Sequence, residues 1–151
     1  MIEIALYQPD IAPNAATIVR MCACLGIACR IIEPAGFVMT DSAFRRAGLD
    51  YLDRAVLRSD SSWAEFREKT KGRRAILVTT KAVMHYVDFA FAPGDIILMG
   101  RESAGVPDHV HAEAEARLLI PMKQGLRSLN VAMACAMVTG EALRQLRSFP
   151  T

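Results

Sequence analysis

Short runs of consecutive apolar residues, separated by longer amphipathic segments, are the feature that most restricts the fold of this chain. The clearest run is 75–79, which has basic residues before it and Thr80-Lys81 after it. Such continuous runs are typical of strands buried on both faces of a parallel sheet, whereas strands with one wet face alternate. The pattern therefore predicts an α/β fold, with a mostly parallel sheet and helices on both of its faces. The other predicted strands are residues 2–6, 28–32, 55–57, 96–99 and 118–120.

Capping residues predict where the helices begin and end. The first helix is expected to start at Asn14, as its N-cap, and to stop at Gly26, since glycine is favoured just past a helix end. Trp63 and Phe66 are expected to face inward from a later helix, because residues three apart share a helix face. The remaining predicted helices are residues 41–47, one that runs from a cap at Ser61 or Ser62 through Lys71, and residues 129–146.

Length and composition bound the organisation of the chain. A chain of 151 residues has the usual size of one domain, so residues 1–151 are expected to form a single domain. Hydrophobic residues make up 52% of it, a large share for so small a chain, which predicts that a second copy covers some apolar surface. The net charge of +2 excludes a general basic field, so any contact with RNA has to be local.

The cysteines and the amino terminus indicate the cellular context. Cys22, Cys24, Cys29 and Cys135 lack the paired spacing of a structural zinc site, so we expect reduced thiols and no metal. Reduced thiols are typical of the cytoplasm. The start at 1–4 has no basic signal-peptide region, and no apolar stretch has the length of a membrane span. The expected protein is therefore cytoplasmic and makes no contact with a membrane.

The loops that follow three predicted strands form the candidate site. Ligands of parallel α/β sheets bind beyond the carboxyl ends of the strands, here after Thr79, Met99 and Ile120. The loop 100–105 has two glycines around a charged pair, and a glycine allows a ligand to approach the backbone. The loop matches neither the GxGxxG nor the P-loop spacing, so an ordinary turn before a helix near Pro107 is the alternative.

Three polar side chains on or just before predicted helices have two interpretations each. Asn130 enters an otherwise apolar helix start, where an unpaired amide would cost about 1–3 kcal/mol, so we expect a partner or a ligand for it. Ser128 is a candidate cap for that helix or a part of the site. Arg20, on the first helix, is either a solvated surface charge or a site residue.

Several separated segments form a pattern that is more specific than any one of them. They are 6–9 with Ile11, 13–20, 32–37, 45–51, 79–81, 100–102 with Gly105 and Pro107, and 120–130. Together they resemble the SPOUT class of methyltransferases and, within it, the TrmH-type RNA 2′-O-ribose methyltransferases. The resemblance covers almost the whole chain, and it favours the minimal enzymes that act on cytidine or uridine at the anticodon wobble position of tRNA.

The resemblance implies a fold and an assembly. The fold is the SPOUT fold, in which the chain after about Ile120 threads through a preceding loop and forms a C-terminal trefoil knot. Knots are rare in proteins, and nothing in the periodicity or composition predicts one. The assembly is a homodimer in which the first and last helices pack across the interface, which agrees with the apolar composition.

The resemblance also implies a reaction and its site. The chain would transfer a methyl group from S-adenosyl-L-methionine, as co-substrate and without a metal, to the ribose 2′-hydroxyl of a tRNA nucleotide. Arg20 would be the catalytic arginine, with Asn14 placing the RNA and Glu102 orienting Arg20. Since a guanidinium is a poor base, Arg20 is expected to act as a donor to the developing alkoxide or to a phosphate. The cofactor would be held, mainly through backbone groups, by Val78, Thr79, Gly100, Ile120, Met122, Ser128, Leu129 and Asn130.

The RNA side of the site is less defined by the resemblance. The candidates for phosphate contact are Arg45, Arg46, Arg54, Arg58, Arg73, Arg74 and Lys81, of which we assign Arg45, Arg46 and Lys81 to the RNA. The chain departs from the family pattern at Ala16, Met133 and Gly140. The alternatives are a catalytically silent knotted RNA-binding homologue, a methyltransferase that acts on rRNA, and an unrelated doubly wound domain that binds another nucleotide.

Overall fold

A parallel sheet forms the centre of the computed structural model, which describes residues 1–38, 42, 45–46 and 54–151. Every strand pairing among these residues is parallel, which confirms the predicted sheet. The strand order is β3-β2-β1-β6-β4-β7-β5, so β6, β4 and β7 are neighbours. The strands are β1 Glu3–Tyr7, β2 Ala28–Ile32, β3 Leu57–Asp60, β4 Ala75–Val78, β5 Met84–His85, β6 Ile96–Met99 and β7 Ala116–Leu119.

Helices cover both faces of the sheet, as predicted. The helices are α1 Ala12–Leu25, α2 Trp63–Lys69, α3 Asp108–Glu113 and α4 Val131–Leu146, with a 3₁₀ turn at Tyr86–Asp88. Ile4 and Leu6 of β1 belong to the core beneath α1 and α4, whereas Ala5 and Tyr7 belong to the core beneath α2 and α3. Alternate residues of one strand are thus buried on opposite sides, which explains why the strands are apolar without interruption.

The first helix begins earlier than its capping pattern predicts. Ile11 stands at the N-cap position without a side-chain cap, and Pro13 lies in the first turn. Proline is well tolerated there because the first backbone N–H groups of a helix have no partner within it. Asn14 is therefore not the N-cap, and its side chain is available for another contact. The predicted end is confirmed, because Gly26 has the left-handed φ of +66°.

The third strand is also displaced from its predicted place. Residues 55–57 were expected to form it, but β3 runs over Leu57–Asp60. β3 lies at the edge of the sheet, where polar residues are tolerated, and it includes Arg58 and the fully buried Asp60. Ser62 caps α2 by accepting a hydrogen bond from the backbone N–H of Glu65, as one of the two predicted caps. Most of the predicted helix 41–47 lies outside the described residues.

A buried carboxylate joins three strands on one side of the sheet. Glu3 of β1 accepts from Nε of Arg30 and from Nη1 of Arg58, each at 2.9 Å, and is also paired with Arg73. Arg30 in turn donates to both oxygens of Asp60 at 3.0 Å. Burial opposes the ionisation of Glu3, but the bond from Arg73 and the charge of Arg30 outweigh it and lower its pKa. This network fixes β1, β2 and β3 against one another.

Candidate functional site

A cleft opens at the carboxyl ends of three neighbouring strands, where the sequence places the candidate site. β6, β4 and β7 end at Met99, Val78 and Leu119, and their loops surround a volume of about 440 Å³. That volume lies within the range of ligand pockets in proteins. The lining residues are Ile11, Asn14, Leu77–Thr80, Met99–Val106, Leu119, Ile120, Met122, Ser128–Val131 and Ala134.

All eight residues that the resemblance assigns to the cofactor line this cleft. Together with Asn14 and Glu102, they are brought from four separate parts of the chain to one place. The eight residues are Val78, Thr79, Gly100, Ile120, Met122, Ser128, Leu129 and Asn130. Their contacts with a ligand remain a prediction; the structure shows that all eight line one cleft.

Asn130 has hydrogen-bond partners within the chain, as expected, although it is exposed. Its Oδ1 caps α4 by accepting from the backbone N–H groups of Ala132 at 2.9 Å and Met133 at 3.3 Å. Its Nδ2 donates to Oδ1 of Asn14 at 3.1 Å. Asn130, and not Ser128, is therefore the cap of α4. Ser128 precedes it in the loop and is left to face the cleft.

The loop 121–130 keeps much of its backbone open. Its internal backbone hydrogen bond in the described structure is the one from Leu126 N to Lys123 O, at 3.3 Å. Within the described residues, the backbone groups of Met122, Ser128 and Leu129 have no protein partner. Backbone N–H and C=O groups are strong hydrogen-bonding groups. This loop therefore offers several donors and acceptors to a ligand in the cleft.

The loop 100–105 is closed on itself at its base. Arg101 N donates to Gly105 O, and Gly105 N donates to Arg101 O, both at 2.9 Å. The chain comes so close that a Cβ on Gly100 would lie 2.9 Å from both the Cα and the carbonyl carbon of Gly105. Glycine at 100 is thus required by the packing of the loop against itself, whatever ligand the cleft holds.

Outside its base, the loop 100–105 is attached to the segment before α1. Asp10 accepts from Nε and Nη2 of Arg101, at 3.1 and 2.6 Å, and from the hydroxyl and the N–H of Ser103. The backbone N–H of Asp10 donates to Oε2 of Glu102 at 2.8 Å. Asp10 was not predicted as a site residue, because its partners lie more than 90 residues away and no local pattern connects them.

Arg20 lies apart from the residues predicted to act with it. It is an exposed residue of α1, and it is not among the cleft residues in the described part of the chain. Six residues separate it from Asn14, which on a helix is about 9 Å along the axis and about 240° around it. Asn14 and Glu102 line the cleft, whereas Arg20 faces elsewhere on its own chain. The predicted contact between Glu102 and Arg20 stays a prediction.

The basic residues separate into paired and exposed groups. Arg58 and Arg73 pair with Glu3, and Arg74 forms a bidentate pair with Asp95 at 2.7 Å. These three arginines have structural partners, which weakens the prediction that they contact phosphate. Arg45, Arg46 and Lys81, which we assigned to the RNA, are exposed. The N–H of Lys81 bonds to Oγ1 of Thr79, a cleft residue, at 3.2 Å.

The four cysteines differ in exposure. Cys22, Cys29 and Cys135 are buried, and Cys24 is exposed. Among the residues that the structure describes, no group of three or more His, Cys, Asp or Glu side chains is arranged to hold a metal ion. None of the described helices is both long and apolar enough to cross a membrane.

Comparison with known proteins identifies relatives along the whole chain. The profile of the family described as "SpoU rRNA Methylase family" matches residues 1–140. A tRNA (cytidine(34)-2′-O)-methyltransferase of Ancylobacter novellus is 55% identical over 150 residues, which are 98% of this chain and 95% of the relative. The protein of the same name from Escherichia coli K12 is 36% identical over 148 residues, 97% of this chain and 94% of that one.

Solved structures share the fold over the same length. One, described as "Structural insights into the 2-OH methylation of C/U34 on tRNA", has a TM-score of 0.94 and 38% identity, and 97% of each chain is covered. Another is the SpoU methyltransferase AviRb of Streptomyces viridochromogenes in complex with the cofactor AdoMet, with a TM-score of 0.83 and 23% identity. It covers 97% of this chain and 60% of that one, and at this identity the likeness concerns the fold alone.

Proposed function

Since the chain belongs to the SpoU rRNA methylase family, we propose that it methylates the ribose 2′-hydroxyl of the wobble nucleotide of a tRNA, a cytidine or a uridine. The methyl donor is S-adenosylmethionine. The observation that carries the proposal is the relation to tRNA (cytidine(34)-2′-O)-methyltransferases, at 55% identity over 98% of the chain. A relation of that extent includes every loop of the cleft, so the chemistry of the site is expected to be shared.

The cleft fits an adenosyl ligand. Its walls include the apolar side chains of Leu77, Met99, Ile120 and Val131, which suit a flat aromatic base. The open backbone groups of 121–130 suit the polar edges of that base and of the ribose. Binding by backbone groups depends on the shape of the loops. The close contact of Gly100 with Gly105 maintains the loop 100–105, and the cap of α4 by Asn130 fixes the end of the loop 121–130.

The chemistry needs alignment more than it needs a strong catalyst. S-adenosylmethionine supplies an electrophilic methyl group on a positively charged sulfur, so transfer to oxygen releases a neutral thioether and the hydroxyl proton. The protein holds the donor and the hydroxyl in line, which by itself removes a large part of the barrier. We assign Asn14 to placing the ribose and Glu102 to the rim of the cleft, both of which line it.

Arg20 is assigned to the RNA and not to the cofactor. Its guanidinium stays protonated at any pH near neutral, so it donates hydrogen bonds and cannot accept the hydroxyl proton. Because Arg20 lies outside the cleft of its own chain, this role requires that it reach the nucleotide from a second copy of the chain, as a donor to the developing alkoxide or to the adjoining phosphate. Arg45, Arg46 and Lys81 are exposed and supply further phosphate contacts in this proposal.

The proposed enzyme is a cytoplasmic homodimer. Met133 and Met137 on α4 have exposed fractions of 62% and 40% and lie one helical turn apart. An exposed apolar strip of this kind on a small chain supports burial against a second copy, which is the arrangement that the family resemblance implies. A cytoplasmic location is proposed because the proposed substrate is tRNA.

The test combines ligand binding with methyl transfer. Calorimetric titration with S-adenosylhomocysteine measures cofactor binding, and transfer of a labelled methyl group to tRNA measures catalysis. The matched control is a tRNA that differs only in a 2′-deoxyribose at position 34, to which no label should pass. Label found in rRNA and not in tRNA would replace the proposed substrate. RNA binding without any transfer would identify a catalytically silent homologue.

The role of Arg20 is tested with the same assays. Arg20→Ala is expected to lower methyl transfer by about a hundredfold or more, the scale seen when one such donor is removed. Its affinity for S-adenosylhomocysteine should stay unchanged, because Arg20 is outside the cleft. Arg20→Lys keeps the charge and loses the planar donor pair, so it serves as the matched variant. Full activity in Arg20→Ala would remove this residue from the mechanism.

A further inference from the structure

Asp10 holds the loop 100–105 from outside. Its two carboxylate oxygens bind different residues of the loop. Oδ1 accepts from Arg101 at 2.6 and 3.1 Å, and Oδ2 accepts from the hydroxyl and the N–H of Ser103. Because the base of the loop is closed by the two bonds between Arg101 and Gly105, its tip would otherwise be free to tilt. The four bonds to Asp10 fix that tilt.

The same residue also orients Glu102. The backbone N–H of Asp10 donates to Oε2 of Glu102 at 2.8 Å, which holds one oxygen of this carboxylate against the main chain. Residues 101, 102 and 103 therefore all have a bond to Asp10, through its side chain or its main chain. Since Arg101, Glu102 and Ser103 form one wall of the cleft, that wall takes its shape from Asp10.

Asp10 is itself held in place by the segment after β2. Gly36 N donates to the carbonyl of Pro9 at 2.8 Å. The two segments are so close that a Cβ on Gly36 would lie 2.9 Å from the carbonyl oxygen of Asp10. Asp10 is thus held against the segment after β2 and at the same time bonded to the loop 100–105, so it connects this loop to the sheet.

The pair of Asp10 and Arg101 stays ionised near neutral pH. The bonds from Arg101 and Ser103 lower the pKa of Asp10 from 3.8 to about 2, so it is an anion throughout the physiological range. Arg101 is always a cation. Charge-assisted hydrogen bonds of this kind are about twice as strong as neutral ones. The contact is therefore present in every protonation state that the enzyme meets near neutral pH.

We propose that Asp10 is a positioning residue that sets the shape of the cofactor cleft through the loop 100–105 and aims Glu102, without touching the ligand itself. Asp10 is absent from the cleft lining in the described residues, whereas its three partners are present. The inference rests on the proposed function for the identity of the ligand. The geometry of the loop is independent of it, and this independence allows the two to be tested apart.

The first measurement concerns the free protein. Hydrogen exchange followed by mass spectrometry reports the opening of backbone amides peptide by peptide. Asp10→Ala is expected to raise exchange in 100–106 and leave α4 protected, and Asp10→Asn, which keeps part of the hydrogen bonding, should fall between it and the native chain. Unchanged protection of 100–106 in a folded Asp10→Ala protein would overturn the proposal, whether or not any ligand binds.

The second measurement links the loop to the ligand. Calorimetry should show that Asp10→Ala binds S-adenosylhomocysteine about tenfold more weakly or worse, an effect of the size expected when charge-assisted bonds are lost. Combined with Arg101→Ala, it should add little, because residues in one network do not act independently. Native affinity in Asp10→Ala, or full additivity of the two changes, would contradict the role of Asp10 in the cleft.

A matched control lies before β6, the strand that leads into the loop 100–105. Asp95, before β6, forms a bidentate pair with Arg74 that resembles the pair of Asp10 with Arg101 after β6. Asp95→Asn should lower stability but leave the exchange of 100–106 and the affinity for S-adenosylhomocysteine unchanged. If the native chain failed to bind this ligand while Asp10→Ala still loosened the loop, the proposed function would fail and the positioning role would stand.

Discussion

The side-chain amide of Asn130 donates a hydrogen bond of 3.1 Å to Oδ1 of Asn14, from the cap of the last helix to the first turn of the first. With its own oxygen Asn130 caps α4, so a single side chain fixes the start of one helix and attaches it to another. Both residues line the cleft. The rim of the cleft therefore depends on a contact between two segments that are 116 positions apart.

Asn130→Ala should destabilise the chain more than Asn14→Ala. It removes the helix cap and the bond between the helices, and loss of a cap alone costs about 1 kcal/mol. Asn14→Ala removes only the bond and serves as the matched control. Asn130→Asp keeps an oxygen for the two backbone N–H groups and should lie closer to the native chain. Urea unfolding can be followed by the fluorescence of Trp63, the only tryptophan. Equal losses in Asn130→Ala and Asn14→Ala would show that the cap contributes nothing.

Gly100→Ala should weaken binding of S-adenosylhomocysteine. The added Cβ would meet the backbone of Gly105 at 2.9 Å, and neither side of that contact is a flexible side chain. Overpacking of this kind costs about 1–3 kcal/mol, and the loop has to open to relieve it. Calorimetry measures the loss. Binding as tight as in the native chain would mean that the loop relaxes without any effect on the cleft.

Gly140→Ala makes the same substitution as Gly100→Ala at a position where the added Cβ has room. This glycine lies inside α4, and a Cβ there meets nothing within 4 Å. Alanine in a helix interior is favoured over glycine, so the free energy of unfolding should rise by about 0.5–1 kcal/mol. A fall in stability would instead indicate that a second copy of the chain covers this position.

The sequence predicted the sheet well because burial on both faces leaves a strong pattern. β2 and β6 have the predicted bounds, and the helix end at Gly26 is confirmed. β3 was displaced because an edge strand with Arg58 and Asp60 lacks that pattern. The strand Met84–His85 was also missed, because two exposed residues are too few to form a recognisable pattern. The trefoil knot stays a prediction of the resemblance, because the passage of the chain through a loop does not affect the periodicity of the sequence.

The site was predicted in part, and the missing part has a physical cause. Loops at the carboxyl ends of parallel strands follow from the strand pattern, so Thr79, Gly100 and Ile120 could be expected together. Asp10 could not, because a contact between residues 10 and 101 depends on which strands are neighbours. That β1 lies beside β6 is a fact of the strand order and not of any local sequence.

Only one of the four cysteines should react quickly with a thiol reagent in the folded protein. Cys24 is exposed, while Cys22, Cys29 and Cys135 are buried. A hydrogen bond with Cys29 and burial raise the pKa of Cys22, and burial raises that of Cys135, so neither forms the reactive thiolate. Titration with a chromogenic disulfide should release one equivalent in the native state and four in urea. Cys24→Ser should abolish the fast phase, and a second fast thiol would contradict the packing of α1 on the sheet.

The contribution of Asp10 to stability should disappear in acid. Its pKa is lowered from 3.8 to about 2 in the folded chain, so the unfolded chain binds the proton first as the pH falls. The stabilisation is therefore complete above about pH 4 and is lost as the pH approaches 2. The difference in free energy of unfolding between the native chain and Asp10→Asn should be constant near neutral pH and shrink in that acid range. Urea unfolding at a series of pH values measures it. A difference that stays constant down to pH 2 would mean that folding leaves the pKa of Asp10 unchanged, and that its bonds to Arg101 and Ser103 do not favour the ionised carboxylate.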